Sequence, residues 1–121
     1  MTAIKRTDTP VVFEGDGVEV RMQEIGGDLS VAFIKFPAGT DMAPALKGLQ
    51  DDLCQSPHWG YVFKGRVRMR RKDGSHDYKA GEAFYWAPGH APEALEDSEF
   101  IDFSPTDKFG EVIDHVKAQM S

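Results

Sequence analysis

The amino-acid sequence predicts an all-β protein, a closed barrel or sandwich, with a single helix at its C-terminus. Short strand-like runs lie at 18–25, 29–36, 59–63, 66–71, 83–86 and 99–103. Twelve glycines and seven prolines are spread along the chain in the manner of turn residues. Many short strands at this spacing are typical of all-β barrels and sandwiches.

The runs are predicted to be strands for different reasons. The first alternates valine and methionine with charged and polar residues, as a strand with one buried face does. The second is mostly apolar and ends at Pro37. The fourth places Val67 and Met69 between arginines, and the Asp73-Gly74 pair after it favours a tight hairpin turn. The remaining three are rich in aromatic and β-branched residues, which favour strands.

The end of the chain has a helical periodicity instead. Ser104 is a good N-cap residue, and Pro105 suits the first helical position. Apolar residues then recur at helical spacing, namely Phe109, Val112, Ile113, Val116 and Met120. We therefore predict one amphipathic helix over about residues 105–119, with its apolar stripe packed against the outside of the barrel.

Length and charge exclude several classes of protein. A chain of 121 residues fits one domain, with a barrel core over about 18–104. Fourteen basic and twenty acidic residues give a net charge of −6, which disfavours nucleic acid as a partner. We find no run of the roughly 18 apolar residues that a membrane span needs. The N-terminal residues do not resemble a signal peptide, and one cysteine precludes an internal disulfide, so we expect a cytoplasmic protein.

Gly65 ends one segment of the chain, Gly81 opens a second, and Gly89 lies inside the second. These two segments resemble the paired motifs of the cupin family, with Gly89 at the internal glycine position of the second motif. Pro88 stands one residue after the expected proline position. The resemblance covers roughly residues 50–96. It implies a double-stranded β-helix, the jelly-roll barrel of that family, and a homodimer, which the apolar run at 29–36 also favours.

The ligand positions of the family carry other residues here. In the register of the glycines, the two histidines of the first motif fall on Asp52 and Cys54, and its glutamate falls on His58. The histidine of the second motif falls on Pro92, two residues after His90. The chain is also similar to a subset of small cupins with the sequences Cys-Gln-x-Pro-His-Trp-Gly-Tyr-Val and Pro-Gly-His. That similarity implies no particular substrate.

These replacements still form a plausible metal-ligand set. A thiolate from Cys54 with imidazoles from His58 and His90 suits Zn²⁺ or Fe²⁺ better than Mg²⁺ or Ca²⁺. Asp52 is a further candidate, because residues two apart on a strand share a face. An offset of two residues is about 6.6 Å along a strand, so His90 reaches the same centre only if the Pro-Gly turn bends inward. Glu93 is a less well placed candidate.

Each of these residues also has a purely structural interpretation. A single cysteine is often a small buried apolar residue, and a histidine at the start of a strand is often held by hydrogen bonds. The sequence therefore leaves three functions open. The first is a barrel that binds a divalent metal or a small molecule in its mouth, with or without catalysis. The second is a metal-free barrel that binds an apolar ligand or regulates, and the third is a structural dimeric partner protein. None of the three defines a substrate.

Overall fold

A computed structural model describes residues 1–120. The elements in chain order are a 3-10 turn Arg6–Asp8, β1 Val11–Gly15, β2 Val18–Gly26, β3 Leu29–Phe36, α1 Ala43–Leu46, a 3-10 turn Gln50–Asp52, β4 His58–Lys64, β5 Arg66–Arg71, β6 Gly74–Lys79, β7 Ala83–Trp86, β8 Ala91–Ala94, β9 Ser98–Pro105 and α2 Thr106–Gln119. Within residues 1–120, no helix is long and apolar enough to cross a membrane.

The strands form two antiparallel sheets, which confirms the predicted fold class. The larger sheet has the strand order β1-β2-β3-β9-β4-β7, and the smaller has the order β6-β5-β8. β9 lies between β3 and β4, and β8 pairs with β5, so strands distant in sequence become neighbours. These crossed connections place the core between the two sheets, as in a jelly-roll barrel. All six predicted runs are strands, and β1, β6 and β8 are additional.

The inward faces of the strands carry polar residues as well as apolar ones. On β9 the alternate residues Ser98, Phe100, Asp102 and Ser104 are all buried. Since successive side chains point to opposite faces of a strand, these four point into the barrel. A carboxylate and two hydroxyls in an interior of this kind require hydrogen-bond partners. Ser104 contacts both His58 and Asp102, whereas Ser98 bonds to the backbone of Arg66 and Glu96.

Gly60 on β4 is a position where the interior leaves no room. A Cβ atom here would overlap the carbonyl oxygen of Ile101 and lie 2.5 Å from Cζ of Phe84. The glycine therefore permits the close approach of β9 and of the Phe84 ring.

Gly60→Ala is therefore expected to lower the free energy of unfolding by about 1–3 kcal/mol, the usual cost of overpacking. The urea midpoint measures the change. Gly110→Ala is the matched control, because a Cβ at this α2 position meets nothing within 4 Å among residues 1–120. An alanine in a helix is favoured over glycine by about 0.5–1 kcal/mol. A stabilised Gly60→Ala protein would contradict the close approach.

The bounds of α2 agree with the prediction within a residue, but two details differ. Ser104 is not the N-cap: it belongs to β9, and the N-cap position is held by Pro105 without a side-chain hydrogen bond. Met120, which the sequence placed in the apolar stripe, lies beyond the end of the helix and is 42% exposed. The other four stripe residues are buried, as predicted. α1 and the two 3-10 turns were not predicted.

The position of α2 also differs from the prediction. Its buried face does not lie on the outer surface of the barrel, because Phe109 contacts the ring of His58 with 4.7 Å between the ring centroids. The helix packs beside α1, and the side chains of His115 and Gln119 both donate hydrogen bonds to the carbonyl oxygen of Lys47, at 2.7 and 2.8 Å. Two helices therefore cover the open end of the barrel.

Candidate metal centre

Three potential ligands lie together under these helices. Cys54, His58 and His90 are all buried, and each offers a ligand atom within 4.8 Å of the other two. They are three of the five metal-ligand candidates that we named from the sequence. Cys54 lies in the loop before β4, His58 opens β4, and His90 precedes β8. These three positions come together only when the chain is folded.

The turn at Pro88-Gly89 brings His90 to this place. Gly89 has a φ of +91°, which glycine adopts readily, and its N–H donates a 2.7 Å hydrogen bond to the carbonyl oxygen of Cys54. The N–H of Cys54 donates in return to the carbonyl oxygen of His90 at 2.8 Å. The two residues thus form an isolated antiparallel bridge. The bridge holds the Pro88-Gly89 turn bent inward, as is required for His90 to lie beside Cys54.

Both imidazoles are oriented by hydrogen bonds at Nδ1. Nδ1 of His58 lies 2.5 Å from Oγ of Ser104, and that hydroxyl donates to Oδ1 of Asp102 at 3.3 Å. Nδ1 of His90 lies 2.7 Å from the carbonyl oxygen of Ala87, so this nitrogen carries the proton. Because a neutral imidazole with its proton on Nδ1 keeps a lone pair on Nε2, both histidines present Nε2 as a ligand atom.

The distance between two of the donor atoms fits a tetrahedral ion. Sγ of Cys54 and Nε2 of His58 are 3.7 Å apart. With usual Zn–S and Zn–N bond lengths, the tetrahedral angle places these two atoms ~3.6 Å apart. A soft thiolate with two imidazoles also matches the ligand preference of Zn²⁺ and Fe²⁺. Cys54 and His58 therefore have the spacing of two ligands of one divalent ion, and His90 offers a third donor within 4.8 Å of both.

Burial keeps these groups uncharged in the metal-free protein. It raises the pKa of the Cys54 thiol to about 12 and that of the Asp102 carboxyl to about 8. It also lowers the pKa of His58 well below its ordinary value, and the pKa of His90 is lowered for the same main reason. A neutral cluster avoids the large cost of an unpaired buried charge. A divalent ion would be balanced by loss of protons from Cys54 and Asp102.

We expect the metal-free protein to be most stable near pH 6.5, the ordinary pKa of histidine. Below this pH the unfolded chain takes up protons at His58 and His90 that the folded chain does not, so stability falls with falling pH. From pH 3.8 to about 8 the folded chain holds a proton on Asp102 that the unfolded chain has lost. Stability therefore falls above pH 6.5, by about 1.4 kcal/mol per pH unit.

Chemical denaturation of chelator-treated protein across pH 5–9 measures this profile. Asp102→Asn is the matched variant, because it keeps the shape of the side chain and removes its titration. The decline above pH 6.5 is expected to disappear in this variant. A wild-type profile that still rises between pH 6.5 and 8 would show that Asp102 is ionised in the metal-free fold.

The sequence placed two further acids near the site, and the structure places both elsewhere. Asp52 lies in the 3-10 turn with a φ of +58°, is exposed, and accepts a 2.9 Å hydrogen bond from the N–H of Gly48. It does not share a strand face with Cys54, because no strand is formed there in the described chain. Glu93 faces Arg68 across the β5–β8 pair, while its neighbour Pro92 lines the interior.

Asp102 and Ser104 were missed by the sequence analysis. Asp102 was taken as part of a strand and Ser104 as a helix cap. Their alternation with Phe100 along β9 is the signal that predicts an inward-facing polar pair. The contact between Ser104 and His58 joins residues 46 positions apart, which alternation alone does not predict.

A cavity of about 70 Å³ adjoins the three candidate ligands. Its wall is almost entirely apolar and includes the whole buried face of α2. Because water in a cavity needs polar partners, the apolar wall does not favour it away from the ligand atoms. The volume is well below the roughly 300–1,000 Å³ of pockets for drug-sized ligands. The cavity therefore accommodates a ligand of only a few atoms.

Solved structures with this architecture are cupins. No protein-family model and no curated protein matches the sequence. The structure of KdgF from a Halomonas species has 25% sequence identity and a TM-score of 0.63, covering 87% of this chain and 94% of its own. An RmlC-like cupin from Shewanella frigidimarina has 19% identity and a TM-score of 0.60, covering 84% and 88%.

A third similarity covers only part of a longer chain. A variant of oxalate decarboxylase from B. subtilis has 19% identity and a TM-score of 0.61, covering 82% of this chain and 28% of its own. These similarities confirm the predicted jelly-roll barrel. The chain therefore has the cupin fold, and its buried cluster of one cysteine and two histidines could hold a divalent metal ion.

Proposed function

We propose that this protein binds Zn²⁺ or Fe²⁺ through Cys54, His58 and His90, and that a small molecule occupies the remaining coordination position. The observation that carries the proposal is the convergence of three buried donors whose imidazoles both present Nε2. Three protein ligands with one open position are typical of catalytic rather than structural zinc sites. Metal analysis of freshly purified, untagged protein tests the proposal, and about one equivalent is expected.

The residues around the donors have distinct tasks in this proposal. A bound ion would supply Lewis-acid chemistry, or dioxygen binding if it is iron. Ser104 and Asp102 orient His58, and Asp102 releases a proton when positive charge arrives beside it. Phe109 and Trp86 pack edge-on against His58, at 4.7 and 6.3 Å between ring centroids, and keep water from its ring. These contacts would keep the ligand set dry and fixed.

A metal-free barrel that binds a small apolar ligand is the second candidate. The observation that favours it is the apolar cavity beside the thiol of Cys54. Burial raises the pKa of this thiol to about 12. In that case Cys54 is a packing residue and the two histidines are held only by their hydrogen bonds. Native mass spectrometry distinguishes the two candidates, because a bound metal and a bound organic molecule add different masses.

We also propose that the protein is a homodimer through the outer face of the larger sheet. Four exposed aromatic side chains lie on β4 and β7: Trp59, Tyr61, Phe63 and Tyr85. Trp59 stacks on Tyr85 at 5.2 Å, and Trp59 and Tyr61 face Phe103 and Ile101 across the β4–β9 pair. A contiguous apolar face of this kind marks an interaction surface.

A Trp59→Asp variant is expected to dissociate the dimer, because two copies of a buried, unpaired charge would face each other. Light scattering at micromolar concentration should fall from about twice the 13.5 kDa chain mass to that mass. Met120→Asp is the control, since this exposed apolar residue lies beyond α2. A wild-type protein that scatters as a 13.5 kDa particle would refute the proposed dimer.

A further inference from the structure

A second, more polar cleft opens between the two sheets. It has a volume of about 250 Å³ and lies where β6 and β7 are the edge strands of their sheets. Hydrogen-bonding side chains line it, among them Arg71, Ser75, His76, Tyr78, Tyr85 and Trp86. Edge strands that do not pair with each other leave this gap in the barrel wall.

Two hydrogen-bond donors in this cleft are not fully used. Trp86 is 3% exposed, and its indole Nε1 is buried without a hydrogen-bond partner in residues 1–120. Because an unpaired buried donor is costly, such a group requires an explanation. The guanidinium of Arg71 makes one long contact, 3.4 Å to the carbonyl oxygen of Pro88. An acceptor in the cleft would satisfy Arg71, and a small shift of the Trp86 ring toward the cleft would let the same acceptor reach Nε1.

The cleft also adjoins the candidate metal centre. Met69, Trp86 and His90 line both the cleft and the apolar cavity, so they form the wall between them. Besides burial, the positive charge of Arg71 lowers the pKa of His90, as expected for a cation close to that ring. A molecule in the cleft therefore lies against a proposed metal ligand.

We propose that this cleft binds a small organic monoanion by its carboxylate, which accepts hydrogen bonds from Arg71 and from Nε1 of Trp86. A guanidinium presents paired N–H groups that match a carboxylate. The ring of Tyr78, 5.7 Å from that of Trp86, flanks the carbon skeleton. One arginine, with Asp73 also at the cleft and a net charge of −6, disfavours a multiply charged anion.

Nuclear magnetic resonance of the Trp86 indole tests this inference. The protein has two tryptophans, so a Trp59→Phe variant identifies the Trp86 N–H resonance in a ¹H–¹⁵N spectrum. Sodium propionate is the probe, sodium chloride at equal ionic strength is the reference, and inorganic phosphate is the second anion. We expect a saturable downfield shift with propionate alone, as the indole N–H gains an acceptor.

Arginine variants provide the comparison. Arg71→Ala is expected to weaken propionate binding by about tenfold or more, the usual range for a hydrogen bond to a charged group. Arg66→Ala is the matched control, because Arg66 lies on the same strand and does not line the cleft. Cys54→Ser should lose metal and keep the propionate shift, so the cleft and the metal centre are tested separately.

Three outcomes would overturn the inference. The first is no saturable shift at concentrations on the order of 50 mM, where even a millimolar site is filled. The second is an Arg71→Ala protein that binds propionate as well as the Arg66→Ala protein does. The third is a shift with phosphate and none with propionate, which would assign the cleft to inorganic phosphate instead.

Discussion

Replacing Cys54 with serine, or His58 with alanine, is expected to strip the bound metal from the protein. Each change removes one of three protein ligands, and loss of outer-sphere partners alone already costs about 10–100-fold in affinity. We therefore expect metal affinity to fall by about 100-fold or more, with less than one tenth of an equivalent retained after desalting. Elemental analysis of wild-type and variant protein purified side by side measures the loss.

His76→Ala is the matched control for the histidine variant, since His76 is exposed on β6 and is not part of the cluster. It should retain the wild-type metal content. Full retention by both Cys54→Ser and His58→Ala would refute the metal centre. If His90→Ala retained the metal while the other two variants lost it, His90 would be removed from the proposed ligand set, and Cys54 and His58 would remain in it.

The pH dependence of metal binding follows from the same cluster. Both Cys54 and Asp102 hold protons at neutral pH in the metal-free fold, since burial raises the pKa of the first to about 12 and of the second to about 8. A bound divalent ion favours release of both, so affinity falls as pH falls. Asp102 thus contributes to the pH dependence of the proposed centre together with Cys54.

The sequence predicted those strands whose signal is local. The runs at 29–36, 66–71 and 83–86 have the same bounds in the structure, because apolar or aromatic residues fill them and turn residues end them. β8 consists of Ala-Pro-Glu-Ala, which has no strand preference of its own, and it forms because β5 pairs with it. β6 is polar throughout except for Tyr78, and its edge position explains why no apolar alternation marks it.

The sequence predicted site residues only where they fall on ligand positions in the register of the cupin-motif glycines. Cys54 and His58 were found because they hold ligand positions of the cupin motif, and they lie together in the structure. Whether His90 joins them depended on the backbone bridge to Cys54, a pairing across 36 residues. Asp52 does not share a face with Cys54, because a turn with positive φ stands where the predicted strand would have aligned the two residues. Such contacts depend on tertiary packing, which residue spacing does not encode.

Ile113→Ala is expected to lower the free energy of unfolding by about 2–4 kcal/mol, because it removes a buried side chain and leaves a space in the wall of the apolar cavity. An isolated helix of this length is marginal in water, so α2 depends on that packing for its stability. The metal content should remain near wild type, since all three ligands lie outside α2. The urea midpoint and elemental analysis of the same samples measure both effects.

Met120→Ala is the control for Ile113→Ala, because the exposed Met120 side chain should contribute less than about 0.5 kcal/mol. An unchanged urea midpoint in Ile113→Ala would show that α2 does not pack over the barrel mouth. A variant that lost its metal while keeping its stability would have a different meaning. It would show that the helix helps to retain the ion by covering it, since Phe109 contacts His58 directly while Ile113 lines only the cavity wall.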